Sequence, residues 1–186
     1  MVQEKKGSDG ALNILNQQLA NISTENQYVT FQIGDENYGI DIMLVQEIIR
    51  YNQPTRVFNA NPVIRGVINF RGKVIPVIDM HRKFNLPAQK CDEYTVVIII
   101  EVNDKTMGMV VDRVSDIMSF NEEDIQIVDR DFAEDIKTEH IKAMAKKEDM
   151  IVMLLDPLRV LSFEEVKQLD DINKMKAEGD LAQEFS

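Results

Sequence analysis

Two histidines, His81 and His140, and a single cysteine, Cys91, are the side chains of this 186-residue sequence best suited to metal ligation or nucleophilic chemistry. Neither histidine has a second His, a Cys or a carboxylate at metal-ligand spacing, so a zinc site has no basis in the sequence. Cys91 has no histidine near it, and its neighbour Lys90 is offset by Asp92 and Glu93, so nothing visible activates the thiol. The run Gly66-Val-Ile-Asn-Phe-Arg-Gly72-Lys73-Val74 approaches a phosphate-binding loop and fails twice. Five residues separate its glycines instead of four, and Val74 stands where a magnesium-binding hydroxyl is required. Glu122-Glu123-Asp124 lacks the central glycine of a calcium loop and reads as a solvated acidic turn. The sequence therefore carries no catalytic residues, no metal ligands and no cofactor fingerprint.

Charge narrows the partners. There are 21 Lys and Arg against 32 Asp and Glu, a net charge of −11. Nucleic acid and anionic lipid both demand clustered positive charge, so neither is expected as a partner. The imbalance is local: residues 116–139 carry nine acids and two bases, whereas residues 43–90 carry eight bases, Arg50, Arg56, Arg65, Arg71, Lys73, Arg82, Lys83 and Lys90, against Glu47 and Asp79. A solvated face and a basic interaction face remain alternatives for that block. The lone cysteine, the polar start MVQEKKGSDG and apolar runs as short as the five residues Val96–Ile100 imply a cytoplasmic chain without membrane insertion.

Behind these residues lies a pattern of strands. Val29, Phe31 and Ile33 alternate with polar neighbours, Gly34-Asp35-Glu36-Asn37 turns, and Tyr38, Ile40 and Ile42 alternate again, which predicts a hairpin. A second hairpin is predicted for Val67–Phe70 and Lys73–Ile78 about Arg71-Gly72, with Pro76 marking an edge, a bulge or a barrel corner. Between the hairpins, Val45, Ile48 and Ile49 have helical spacing over about two turns. Leu12, Leu15, Leu19 and Ile22 form a weak amphipathic stretch in an N-terminal extension of residues 1–26, either disordered or a short helix. Asp79 and Asp156 read as helix N-caps, the latter with Pro157 behind it. Ser162–Glu165 fits a capping box for a C-terminal helix over about 163–177.

The unit occurs twice. Tyr38-Gly39-Ile40 falls on Met107-Gly108-Met109 at an offset of 69, carrying Val45 onto Val114, Glu47 onto Asp116 and Ile48 onto Ile117. Val74–Asp79 resembles Ile151–Asp156 at an offset of 77, so the second copy is about eight residues longer, in or near 121–139. Short strands with turn punctuation, duplicated, predict a pair of small antiparallel barrels.

NYGIDIMLVQEIIRYNQPTRV, NPVIRGVINFRGKVIPVIDM and HRKF, followed by TVVIII and MGMVVDRVSDIM, resemble the CheW family of bacterial chemotaxis coupling proteins over about residues 27–163. Phe70, His81 and Asn85 depart from the residues common there. The resemblance implies an all-β fold with short helices: two intertwined SH3-like five-stranded barrels, the first about 28–90 and the second about 91–162 with strand crossover, plus a C-terminal helix and tail from 163 to 186. It implies a non-enzymatic adaptor between the cytoplasmic tip of methyl-accepting chemoreceptors and the regulatory domain of the histidine kinase CheA, at membrane-associated arrays, with further copies in rings left open. A paralogue serving a non-chemotactic receptor–kinase system is the alternative, and an enzyme on a duplicated barrel or a kinase fragment is a more distant one. By resemblance, Val45, Glu47, Ile48, Arg65 and Arg71 face the receptor, and Val114 and Ile117 face the kinase.

Overall fold

The computed structural model describes residues 2–20, 26–128 and 139–161 together with positions 165, 167, 168, 170 and 171. An N-terminal helix α1 (Val2–Ala20) precedes β1 (Gln27–Ile33), β2 (Glu36–Asp41), β3 (Val45–Arg50), β4 (Ile64–Phe70), β5 (Lys73–Asp79) and the short α2 (Met80–Lys83). Then come β6 (Val96–Val102), β7 (Lys105–Val111), β8 (Arg113–Ser119), β9 (Ile125–Ile127), β10 (Ile141–Lys147), β11 (Met150–Leu155) and α3 (Pro157–Val160). Two sheets result, ordered β3-β6-β7-β5-β4 and β8-β1-β2-β11-β10-β9.

The duplication holds at the level of single hydrogen-bonded partners. Gly108 lies opposite Val77 where β7 meets β5, and its counterpart Gly39 lies opposite Leu154 where β2 meets β11; both pairings are parallel. Bulges recur too: between Val45 and Glu47 on β3 as between Val114 and Asp116 on β8, and between Ile64 and Gly66 on β4 as between Ile141 and Ala143 on β10. Each repeat therefore lends its first hairpin to the other. β1 and β2 join the sheet of β8–β11, while β6 and β7 join that of β3–β5. The expected strand crossover takes this form: β1–β2 and β6–β7, the first hairpins of the segments before and after residue 90, have changed places. The longer second copy contains β9, a sixth strand added outside β10; residues 129–138 of that segment lie outside the described residues.

Three apolar layers follow from strand alternation. Between the sheets lies the central core, with Phe31, Ile40, Ile48, Ile78, Met80, Ile98, Ile100, Met109 and Leu155. On the far face of one sheet sit Ile75, Val77, Val97, Ile99 and Val110, and on the far face of the other Tyr28, Phe120, Ala145, Val152 and Leu154. β6 supplies Val96, Ile98 and Ile100 to the centre and Val97 and Ile99 to the far side, which is why the apolar run Val96–Ile100 has no polar alternation.

The helical reading of Val45, Ile48 and Ile49 is corrected: they belong to β3. Gln46 is the extra residue of the bulge, so Val45 and Ile48, three apart, share the central face as they would on a helix, while Ile49 turns to the far face. The first hairpin turn is also tighter than the four-residue segment expected, spanning Gly34-Asp35 with Gly34 at φ +61°. Pro76 sits inside the sheet, yet the β5–β7 ladder begins only at Val77, so no partner is denied the missing N–H. Both N-caps form: Asp79 accepts from Arg82 N at 3.1 Å and Asp156 from Leu158 N at 3.0 Å.

The described residues of the C-terminal segment are helical and strapped to the first barrel. Glu165 pairs with Lys83 at 2.8 Å, Gln168 accepts from Asn61 N at 2.7 Å, and Asp170 meets Lys105 at 2.8 Å. The expected capping box at Ser162–Glu165 and most of the helix beyond lie outside the described residues.

Candidate partner-binding site

β3 and β4 are the two end strands of their sheet, and the turn after β4 comes within ion-pair distance of β3. Arg71, in the turn between β4 and β5, reaches Glu47 on β3 there, with Nη2 3.0 Å from Oε2. Turn chemistry sets its position. Arg71 and Gly72 both take positive φ, +50° and +80°, as a two-residue hairpin with the twist of its flanking strands requires, and Asn69 Oδ1 accepts from Gly72 N at 3.0 Å. The guanidinium also lies over the Phe70 ring, 5.0 Å from its centroid. Its side chain is 66% exposed and that of Glu47 31%. An exposed pair of this kind contributes at most about 1 kcal/mol to the fold, so its donors and acceptors remain available to a partner.

Arg65 has a different setting. Its Nε and Nη2 both contact Asp79 Oδ2, at 3.2 and 3.1 Å, its Nη1 lies 3.3 Å from Cys91 Sγ, and the group stacks 5.2 Å from the Tyr51 centroid. Burial alone would lower the guanidinium pKa, but the Cys91 contact and the Asp79 carboxylate outweigh it and hold it above the ordinary arginine value; burial likewise pushes the Tyr51 phenol up against the opposing pull of Arg65. This network ties β4 to the end of β5 and to the loop carrying Cys91. Arg65→Ala is expected to lower stability by about 2 kcal/mol through lost charge-assisted hydrogen bonds, read as a lower urea midpoint at unchanged slope. A partner-contact residue would leave the midpoint where it is.

Val45 and Ile48 are buried in the central core, 8% and 1% exposed, and so support the surface from beneath. Val114 and Ile117, their counterparts on β8, are half-buried against the same core. The basic block of residues 43–90 proves largely neutralised: Arg50 meets Asp9, Arg65 and Arg82 meet Asp79, Arg71 meets Glu47, and Lys83 meets Glu165. The exposed Met43 adds an apolar side chain just before β3.

Two arrangements escaped the sequence reading. His81 Nδ1 lies 3.0 Å from Pro87 O and its Nε2 2.9 Å from the Asp112 carboxylate, which also accepts from Gly34 N at 2.7 Å and from Gln89. Asp112 is 31 residues away in sequence, so local spacing held no sign of it; among the described residues no group of three potential metal ligands forms. The second arrangement is the approach of α1 to β3, through Asp9 and Asn16. The only trace of it in the sequence is that Asp9, Leu12, Asn16 and Leu19 are spaced 3, 4 and 3, one stripe of a helix.

A family model described as the CheW-like domain matches residues 27–165. The chemotaxis protein CheW of Klebsiella aerogenes is 37% identical over 156 residues, 84% of this chain and 93% of the relative. That of Bacillus subtilis is 32% identical over 145 residues, 78% and 92% of the two chains. The crystal structure of the scaffolding protein TtCheW from Thermoanaerobacter tengcongensis matches with a TM-score of 0.70 at 26% identity, covering 76% of this chain and 96% of that one. Sequence shared along residues 27–165, together with intertwined SH3-like barrels of the same design, establishes that this chain belongs to the CheW-like family, as a non-enzymatic chemotaxis adaptor.

Proposed function

We propose that the chain couples the cytoplasmic tips of methyl-accepting chemoreceptors to the regulatory domain of the histidine kinase CheA in membrane-associated arrays, where further copies of the chain take part in rings. The observation that carries the receptor assignment is the exposed Arg71–Glu47 pair at the meeting of β3 and the β4–β5 turn. It presents directed donors and an acceptor above a surface shaped by Val45 and Ile48 and braced by Arg65. An amphipathic receptor helix fits such a site, its apolar anchors on the surface and its polar groups on the pair. Val114 and Ile117 on β8, related to Val45 and Ile48 by the repeat, are the proposed kinase-side residues. Binding two partners on one rigid body lets the state of one bias the other, a coupling free energy that needs no catalytic group. No helix among the described residues is long and apolar enough to cross a membrane.

Titration of a receptor tip fragment and of the kinase regulatory domain against the full chain tests this reading. Arg71→Ala or Glu47→Ala is expected to weaken receptor binding by about 1–2 kcal/mol while leaving kinase binding and the unfolding midpoint unchanged. Equal receptor affinity in both variants overturns the site, and absence of binding to either partner overturns the coupling role.

A further inference from the structure

β3 is an edge strand, and at Ile48 both its N–H and its C=O are taken by a single side chain. Asn16 Oδ1 accepts from Ile48 N at 3.1 Å and Asn16 Nδ2 donates to Ile48 O at 3.1 Å, the bonding a neighbouring strand would supply. Two residues on, Arg50 Nε meets Asp9 at 2.7 Å, and Leu12 and Leu19 pack on the rim of the central core. One stripe of α1 thus covers the strand that carries Glu47.

The twin strand shows that the fold does not require this cover. On β8 the equivalent of Ile48 is Ile117, whose N–H goes to the carboxylate of its own neighbour Asp116 at 2.8 Å. The family match begins at residue 27, so α1 is an addition to the shared domain. Gly10 in its interior also leaves it weak as a helix, since glycine loses the most backbone freedom on becoming helical.

We propose that the edge of β3 is a helix-docking surface whose resident occupant is α1, and that the receptor helix must displace α1 to reach it. The competing helix presents a side-chain amide to the Ile48 backbone, an acid to Arg50 and apolar residues spaced three and four apart to the core rim. This rests on the receptor assignment proposed above. The apparent receptor affinity is then the intrinsic affinity multiplied by the fraction of molecules with α1 released.

Opposed substitutions in the full chain test the competition. Asp9→Ala with Asn16→Ala removes the polar clamp and is expected to tighten binding of a receptor tip fragment about tenfold. Gly10→Ala, at a position where an added methyl meets nothing within 4 Å, strengthens the helix and is expected to weaken the same binding about threefold. Hydrogen exchange, read in parallel, should quicken at the Ile48 amide in the first variant alone and along the α1 backbone when the fragment is added to the parent chain. Opposite shifts in affinity support the proposal. Retained binding with neither variant shifted overturns it while the coupling role stands, as does weaker binding in the clamp variant, which would make α1 part of the receiving surface. If the fragment binds none of the three chains, the receptor assignment falls and the competition with it, while the Ile48 exchange still reports whether the clamp forms.

Discussion

Lys83→Met is expected to lower the unfolding free energy by about 3–5 kcal/mol, several times what an exposed ion pair contributes. Lys83 Nζ donates to both carboxylate oxygens of Glu165, at 3.0 and 2.8 Å, and the two side chains are only 9% and 5% exposed. Removing the ammonium takes from Glu165 the cation that both its oxygens accept from, in a site nearly closed to water where a buried carboxylate is costly. The comparison that isolates this cause is the double variant Lys83→Met with Glu165→Leu. Replacing both charges by apolar groups of similar size removes the buried carboxylate as well, so the double variant should recover most of the loss and unfold near the parent midpoint in urea. A single-variant loss below about 1 kcal/mol would mean that water reaches the pair. Glu165→Ala should resemble Lys83→Met, and it would also release the C-terminal strap from α2.

Gly66→Ala is expected to cost about 3 kcal/mol, although the change is a single methyl. Gly66 lies in the β4 bulge at φ +156°, a backbone conformation L residues avoid. The preceding loop crosses directly over it, with Thr55 and Val67 exchanging backbone hydrogen bonds of 2.9 and 2.8 Å. A Cβ on Gly66 would overlap the Thr55 carbonyl and approach Pro54 Cβ to 2.9 Å. The neighbour is backbone, so it cannot turn aside as a side chain could. The repeat supplies an internal control: the equivalent residue is Ala143, in the matching bulge of β10 and buried at 4%. Ala143→Gly should cost only about 1 kcal/mol, chiefly backbone entropy. Urea unfolding of the two reciprocal variants measures the asymmetry, and equal losses would overturn the assignment of the effect to the Thr55 crossing.

Where local alternation reports burial, the strands were legible. β1 and β2 follow their period-two patterns because each residue's neighbours two positions away face the same layer, while β4 and β5 were marked by the apolar runs flanking Arg71-Gly72. β3 defeated that logic, since one inserted residue, Gln46, restores a three-residue spacing that helices share. The repeat was legible because both copies keep the same bulges and caps, and similar constraints leave similar residues. The exchange of hairpins was not, because β1 pairs with β8 through contacts 86 residues apart, such as Thr30 Oγ1 to Asp116 O. At the candidate site, resemblance supplied Val45, Glu47, Ile48, Arg65 and Arg71 together, and only the fold shows Glu47 paired with Arg71 at the surface, Val45 and Ile48 below it and Arg65 in its own network. Asp9 and Asn16 lie in a stretch whose polar composition masks the one face that packs.

The traded hairpins nest one barrel inside the other, β3–β7 running as one stretch of chain between β2 and β8. No single cut in the chain releases either barrel with all its strands, because the five-stranded sheet, β3–β7, is flanked on both sides by strands of the six-stranded one, β1 and β2 before it and β8–β11 after it. A fragment ending before β6 would hold three strands of one barrel and a stray hairpin of the other. Melting should therefore proceed in one transition, and whatever tightens one barrel raises the melting point of both.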